Sequence, residues 1–242
     1  MPRRRRRPRC LDLYCGGFGA GEGYRRAGYD VIGVDEHRRR NHPPGVEFIK
    51  ADVLDVLDDL AFLRGFDLIH ASPPCKELTR LTGLMDAQGR QASHPDLLVP
   101  TRQGLDRAGV PYVIENVEQA KHRGLMTPHV TLCGSMFDLR TVDEAGEVRW
   151  LQRHRLFELG GWGRLGVMLQ PFCAHPRNLR PLGIYSNDPG TSTPGGGDIA
   201  TLAQARELMD IDWMSWRAIT QAIPPAYTEF LGRAYLEERQ AA

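Results

Sequence analysis

Short apolar runs alternate with amphipathic stretches along most of the chain. Residues 10–14 read as a buried strand, a glycine-rich turn follows, residues 22–27 carry helical spacing, and residues 30–34 form a second apolar run. The alternation continues with predicted strands at 47–50, 66–71 and 112–115, and with predicted helices at 53–63 and within 96–108. Strands separated by helices at this spacing predict an α/β fold built on a doubly wound, mostly parallel sheet, with ligands at the C-terminal ends of the strands. Most of these strands end on polar residues, glycine or proline: residues 15–23, Asp35, residues 72–75, then Glu115 and Asn116. A catalytic rim is the natural expectation. Beyond a further apolar run at 155–159, residues 160–198 are rich in Gly, Pro, Arg and Asn without a sustained period, which predicts a loop-dominated region. Helical spacing returns at 199–209 and 213–222. Pro224-Pro225 then opens a final amphipathic helix through Tyr227, Leu231 and Tyr235, expected to pack back on the sheet.

Composition narrows the class without deciding the chemistry. With 242 residues, 25% charged and 41% hydrophobic, the chain fits one generous globular domain and not a disordered or fibrous protein. No run approaches the roughly 18 apolar residues of a membrane span, and Pro and Arg at the start lead into no apolar core. A soluble, cytoplasmic protein with no membrane contact is expected. Lys plus Arg (31) nearly balances Asp plus Glu (30), but the cations cluster at Arg3 to Arg7 with Arg9, at Arg38 to Arg40, and around residues 149–180. Such clusters suit phosphate contacts, and solvated faces explain each one equally well. Five cysteines, an odd number, argue against a disulfide scaffold. Zinc would call for a short Cys-x-x-Cys type of spacing. The nearest approach is Cys173 with His175, plus scattered His122, His129 and His154, so no structural metal is expected.

The turn Asp12-Leu-Tyr-Cys-Gly-Gly-Phe-Gly-Ala-Gly lies between a predicted strand and a helix, where glycine lets backbone approach a nucleotide closely. Asp35, about 20 residues on, is placed to accept from ribose hydroxyls. Gly17 and Gly19 supply two glycines of a dinucleotide pattern, but Glu22 stands where the third would fall, which disfavours a nicotinamide enzyme. Asp52 could bond an adenine amino group, or serve as a turn carboxylate or helix cap. In Ser72-Pro-Pro-Cys75 two prolines fix the direction of a thiol at a strand end, as a nucleophile needs, and Lys76 could raise its thiolate fraction. Glu115 closes an apolar strand, where burial raises a carboxyl pKa toward proton donation; pairing with an arginine is the structural alternative. Arg153 and Arg155, two apart, share a face of an extended segment and could hold a carboxylate, a base carbonyl or a phosphate, or simply be solvated.

Taken in order, the glycine-rich turn, Asp35, Pro73-Pro-Cys75, Glu115-Asn-Val117 and Gln152-Arg-His-Arg155 resemble the motif series of the DNA (cytosine-5) methyltransferase family. The resemblance covers residues 9–158 well and the last 45 or so weakly. It implies a Rossmann-like S-adenosylmethionine-dependent methyltransferase fold, with a catalytic domain at 1–158 and 199–242 and a short, loop-rich target-recognition region at 159–198. It implies S-adenosyl-L-methionine as cofactor, held by Asp12, Tyr14, Cys15, Gly16, Gly17, Phe18, Gly19, Asp35, Glu36, Asp52, Val53 and Pro73. Cys75 matches the nucleophile that adds to cytosine C6, Glu115 the group that protonates N3, and Arg153 and Arg155 the pair near the target base. Pro74, Lys76, Thr79, Asn116 and Val117 match substrate contacts. The partner so implied is double-stranded DNA with the target base flipped out, for a monomer compact in the manner of bacterial or phage-borne enzymes.

The chain departs from the pattern in three places. Lys76, Glu77, Leu78 and Thr79 replace the usual Gln and Ser after the cysteine; Glu36 stands where an aromatic is frequent; and Thr220-Gln-Ala-Ile-Pro224 replaces Gly-Asn-x-Val-Pro. A recognition region of about 40 residues is small beside the ~600 Å² or more that one specific module covers, which implies a short or relaxed target. The alternatives are a tRNA cytosine-C5 methyltransferase, a non-catalytic DNA-binding relative, and transfer of a group other than methyl.

Overall fold

A computed structural model describes residues 6–37, 42–74, 97–163, 173, 175–185, 188–191 and 198–241. The large sheet is built from β1 (Arg9–Leu13), β2 (Asp30–Asp35), β3 (Glu47–Lys50), β4 (Leu68–Ala71), β5 (Tyr112–Asn116), β6 (Val130–Leu132) and β9 (Arg155–Gly160). Its order is β3-β2-β1-β4-β5-β9-β6. The first five pair in parallel, and β9 runs antiparallel to both β5 and β6. The doubly wound α/β expectation therefore stands. The order reverses between β1 and β4, and a crevice opens at such a switch point beyond the carboxyl ends of the strands. The glycine-rich turn leaves β1 there and the Pro-Pro segment leaves β4.

Alternation along the strands decides which side chains serve which layer. Leu11 and Leu13 of β1, Ile32 and Val34 of β2, and Ile69 and Ala71 of β4 face one apolar cluster. It is covered by α2 (Val53–Asp58), α3 (Leu60–Leu63), α4 (Leu98–Ala108) and α5 (Glu118–His122) through Leu57, Leu63, Leu105 and Ala120. Cys10, Val31, Leu68 and Val113 face the opposite cluster, under α1 (Gly19–Arg26) and the C-terminal α8 (Pro225–Ala241), with Tyr24, Tyr227, Leu231 and Tyr235 fully or almost fully buried.

Two of the helix boundaries that differ from the periodicity have a local cause. Residues 53–63 form two helices because Asp59 breaks the run; its carboxylate accepts from the Phe62 N–H and caps the second piece, the short-range competition that makes Asp a cap residue. The first helix starts at Gly19, earlier than its apolar spacing suggests, since glycines in its first turn allow close packing. At Gly23 a Cβ would stand 2.0 Å from Thr228 Oγ1 and 2.1 Å from the Pro225 carbonyl oxygen.

A second sheet, ordered β11-β10-β8-β7, joins β7 (Arg140–Val142), β8 (Val148–Leu151), β10 (Arg180–Gly183) and β11 (Asp198–Ile199). It draws strands from both sides of residue 158 and packs through Leu151, Leu182 and Ile184 on α6 (Leu202–Met209) and α7 (Trp216–Ile219). Among the described residues no helix is long and apolar enough to cross a membrane.

The contact between α1 and α8 gives a direct test. Alanine favours a helix over glycine by about 1 kcal/mol, whereas overpacking a filled interface costs ~1–3 kcal/mol and sometimes more. With backbone on the receiving side the clash wins, so Gly23→Ala is expected to lower the urea midpoint. A higher midpoint would mean that the helices stand further apart.

Candidate active site

The glycine-rich turn is held in an unusual backbone conformation. Tyr14, Gly16 and Phe18 have φ of 59°, 51° and 70°. Only the middle one is glycine, so two L-residues sit in the left-handed region, a strain that persists where the surroundings over-determine it. Phe18 is driven there by its ring, which is fully buried beneath the turn against Gly21 and Gly33. The Cys15 side chain is buried in the same cluster, and its N–H bonds the Val34 carbonyl at 3.0 Å. Tyr14 is half-buried, and its hydroxyl lies 2.9 Å from Thr101 Oγ1 on α4. Cys15 and Phe18 thus serve the turn from below, while Gly16 and Gly17 lie at its partly exposed surface.

Acidic residues around the turn fall into two environments. Asp35, at the end of β2, accepts the Gly16 N–H at 3.0 Å and the His37 N–H at 2.9 Å, one on each oxygen. Each oxygen keeps lone-pair capacity for a hydroxyl donor. Asp52 is exposed and caps α2 by accepting the Leu54 N–H at 2.8 Å, the structural alternative weighed for it. Glu36 is exposed beside His37, and Val53 is buried in the first turn of α2. Asp12 is wholly buried under α1, and among the described residues neither carboxylate oxygen has a hydrogen-bond partner. Burial pushes its pKa up to about 8; the nearby Gly21 N–H opposes the rise, and the Asp35 charge adds to it. His70, its neighbour across the β1–β4 pair, accepts or donates at 3.1 Å with the Tyr24 hydroxyl, and burial lowers its pKa to about 3.

At the other side of the crevice the Pro-Pro segment approaches the end of β5. Ser72 donates its N–H to the Leu13 carbonyl at 3.2 Å, and the Asn116 amide donates to the Pro73 carbonyl at 3.2 Å. Pro73 is buried and Pro74 exposed; Cys75, Lys76 and Thr79 lie outside the described residues, as do Arg3 to Arg5 and Arg38 to Arg40. Glu115 is buried, with Arg155 Nε 3.0 Å from its Oε1. Burial raises the Glu115 pKa, and the charges of Arg155 and Arg153 pull it back only in part. Val117 is half-buried just beyond, its N–H bonded to Asn116 Oδ1.

The two arginines do different work. Arg155 meets Glu115, whereas Arg153 is buried and spends its guanidinium on backbone: the Ile184 carbonyl at 3.0 Å, Thr220 at 2.9 Å and Ala222 at 2.8 Å. Burial, with the Arg155 charge, lowers its pKa to about 9. Through Arg153 the 220–222 segment is tied to β9, and the same segment packs on the turn: a Cβ on Gly19 would stand 2.5 Å from the Ile223 carbonyl oxygen.

No protein-family model matches the chain. Over 78 residues it is 31% identical to the type II methyltransferase M.AgeI of Thalassovita gelatinovora, a match covering 27% of this chain and 18% of that protein. The chain thus aligns with less than a fifth of the relative's length. Among solved structures, a DNMT2 mutant from Spodoptera frugiperda superposes with a TM-score of 0.55 at 12% identity, covering 95% of this chain and 99% of that one. The methyltransferase EhMeth of Entamoeba histolytica superposes at 0.56 and 11%, covering 97% and 99%. The chain shares the overall fold of these two solved methyltransferases.

Within this methyltransferase-like fold three further side chains hold the turn, and none carried a sequence signal. His42 Nε2 is 2.9 Å from the Gly16 carbonyl oxygen, Trp213 donates its indole N–H to the Gly17 carbonyl at 2.9 Å, and Thr101 meets Tyr14. They come from segments 26, 196 and 87 positions away along the chain, a separation no local motif encodes.

Asp12→Asn tests the neutral carboxyl. Below pH 3.8 the group is protonated in folded and unfolded chains alike; between 3.8 and about 8 only the unfolded state ionises, so the parent loses stability as pH rises and the loss levels off above about 8. Urea midpoints should show the Asn variant gaining on the parent from about pH 5 to about pH 8. A constant difference across that window would mean a charged carboxylate at position 12.

Proposed function

We propose that the chain transfers a methyl group from S-adenosyl-L-methionine to C5 of cytosine in double-stranded DNA. The observation that carries the reading is the buried Glu115, braced by Arg155 at 3.0 Å, beside a backbone contact to Pro73, two residues before Cys75. The donor set fits the cofactor. Asp35 accepts one N–H of the turn, from Gly16, and the His37 N–H beyond β2, and has capacity left for a ribose diol; Gly16 and Gly17 carry no side chain that would occupy the approach. When bound, S-adenosyl-L-methionine supplies an electrophilic methyl on a sulfonium sulfur.

The chain's own groups account for the rest. Cytosine C5 is a weak nucleophile until the ring is saturated at C6. In this reading the Cys75 thiolate adds its electron pair to C6 while the Glu115 carboxyl gives its proton to N3, and the ring becomes an enamine whose C5 is nucleophilic. Once C5 carries the new carbon, the C5 proton passes to water, the Cys75 sulfur departs with the C6–S bonding pair, and N3 returns its proton to Glu115, which restores the neutral aromatic ring. A carboxyl raised by burial holds its proton for N3, and Arg155 orients it and steadies the carboxylate that remains. Because C6 is enclosed within a duplex, the base must leave the stack. The similarity to a type II methyltransferase supports DNA over RNA as substrate, and exposed Arg6 and Arg7 suit a phosphate backbone.

Purified protein given cofactor with a radiolabelled methyl is expected to label cytosine in duplex DNA and not tRNA; label in tRNA alone would change the substrate. Cys75→Ala is expected to abolish transfer, and 5-fluorocytosine DNA to form a covalent adduct on Cys75 in the parent, since fluorine blocks the final elimination. Glu115→Gln should lower kcat by ~10²-fold or more. Full activity without Cys75 would overturn the covalent route, and a near-normal rate for Glu115→Gln would leave that residue structural.

A further inference from the structure

Away from the crevice, Cys133, His154, Cys173 and His175 converge: one sulfur or ring-nitrogen atom from each lies within 4.8 Å of all the others. The sheet creates half of this cluster. β6 and β9 pair with Leu132 opposite Arg155, so the next residue after β6 and the last before β9, Cys133 and His154, meet at the sheet edge. Cys173 and His175 approach from the far side, and the Trp150 ring packs on His175 with centroids 4.9 Å apart. We propose that these four side chains bind one divalent transition-metal ion, Zn2+, in a closed structural site.

The distances fit the ion. Zinc holds sulfur at about 2.3 Å and imidazole nitrogen at about 2.0–2.1 Å in a tetrahedron, which sets ligand atoms about 3.6 Å apart for a nitrogen–sulfur pair and about 3.4 Å for two nitrogens. Cys133 Sγ to His175 Nε2 is 3.6 Å, Cys173 Sγ to His154 Nε2 is 3.5 Å, and the two Nε2 atoms are 3.1 Å apart. Two thiolates with two imidazoles form a donor set that suits zinc and leaves no position for water, as in a structural site and unlike a catalytic one.

The surroundings are those of a ligand shell. A metal-bound imidazole usually gives its other N–H to a carboxylate, and His154 Nδ1 lies 3.5 Å from Glu118 Oε1 on α5. Ser135 Oγ is 3.5 Å from Cys173 Sγ, and the Cys133 sulfur accepts the Met136 backbone N–H, contacts that steady thiolates. The consequence reaches the crevice. His154 lies between Arg153 and Arg155, so an ion fixing His154 positions both guanidinium groups and ties Cys173 and His175 to the sheet edge. The proposal does not depend on the reaction assigned above.

The test uses the full chain, purified without a polyhistidine tag or chelator. Elemental analysis is expected to give about one equivalent of zinc per chain, and its removal with a chelator and a thiol reagent should lower the melting temperature. Co2+ added to the stripped protein under reducing conditions should give thiolate-to-cobalt charge transfer and the visible bands of a tetrahedral centre. His175→Ala, at an exposed residue and so least able to disturb folding, is expected to lose the metal. Glu118→Gln should weaken zinc binding about 10–100-fold with the cobalt bands retained. A folded chain that carries no zinc and gives no cobalt–thiolate band would overturn the proposal, as would Cys133 and Cys173 found joined in a disulfide in the freshly isolated protein.

Discussion

One buried guanidinium holds the two sheets and the C-terminal segment in register. Arg153 leaves β8 behind and leads into β9, and its donors reach carbonyls at Ile184, Thr220 and Ala222, three groups that lie outside the strands and helices described. A backbone carbonyl buried without a donor costs about 1–3 kcal/mol, so a single planar fork meets a requirement that would otherwise need added secondary structure. The Tyr227 hydroxyl closes the arrangement from α8 by donating to the Arg153 carbonyl at 2.7 Å. The charge cost is visible in the lowered pKa of the group. Because Ala222 and Ile223 also pack on the start of α1, the same clamp sets the height of the glycine-rich turn.

Environment, more than residue type, separates the carboxyl groups around the crevice. Asp35 and Asp52 sit at element ends with backbone N–H partners, so they are held as acceptors. Glu115 is buried, and its arginine only partly offsets the desolvation. Asp12 is buried with no cation beside it among the described residues, and burial raises its pKa to about 8. Side chains of one chemical class are thus sorted by depth and partner. Arg155 and Arg153 divide in the same way, one paired with a carboxylate and the other with carbonyls.

The proposed metal cluster and the crevice share one strand. β9 is the strand that runs against the parallel direction, and its entry carries both the ligand His154 and the two arginines. An antiparallel strand inserted between β5 and β6 puts its start beside the end of β5, where Glu115 and Asn116 lie. Reversal of this strand is therefore what delivers cations to the carboxyl end of the sheet.

The sequence by itself determined the strand and helix alternation, the strand-end location of Asp35, Glu115 and the Pro-Pro segment, and the final helix after Pro224. Each of these is a local property: period along the chain, a proline's fixed φ, a polar residue closing an apolar run. Tertiary structure alone decided that Phe18 and Cys15 lie under the turn while Asp12 is neutral, that His42 and Trp213 hold it from afar, and that Arg153 binds carbonyls. It also brought Cys133 and His154 together across β6 and β9, where the spacing along the chain had led to no structural metal being expected. Those outcomes depend on which surfaces the folded layers bury and which strand ends they set side by side, and neither is written in the spacing of residues along a chain.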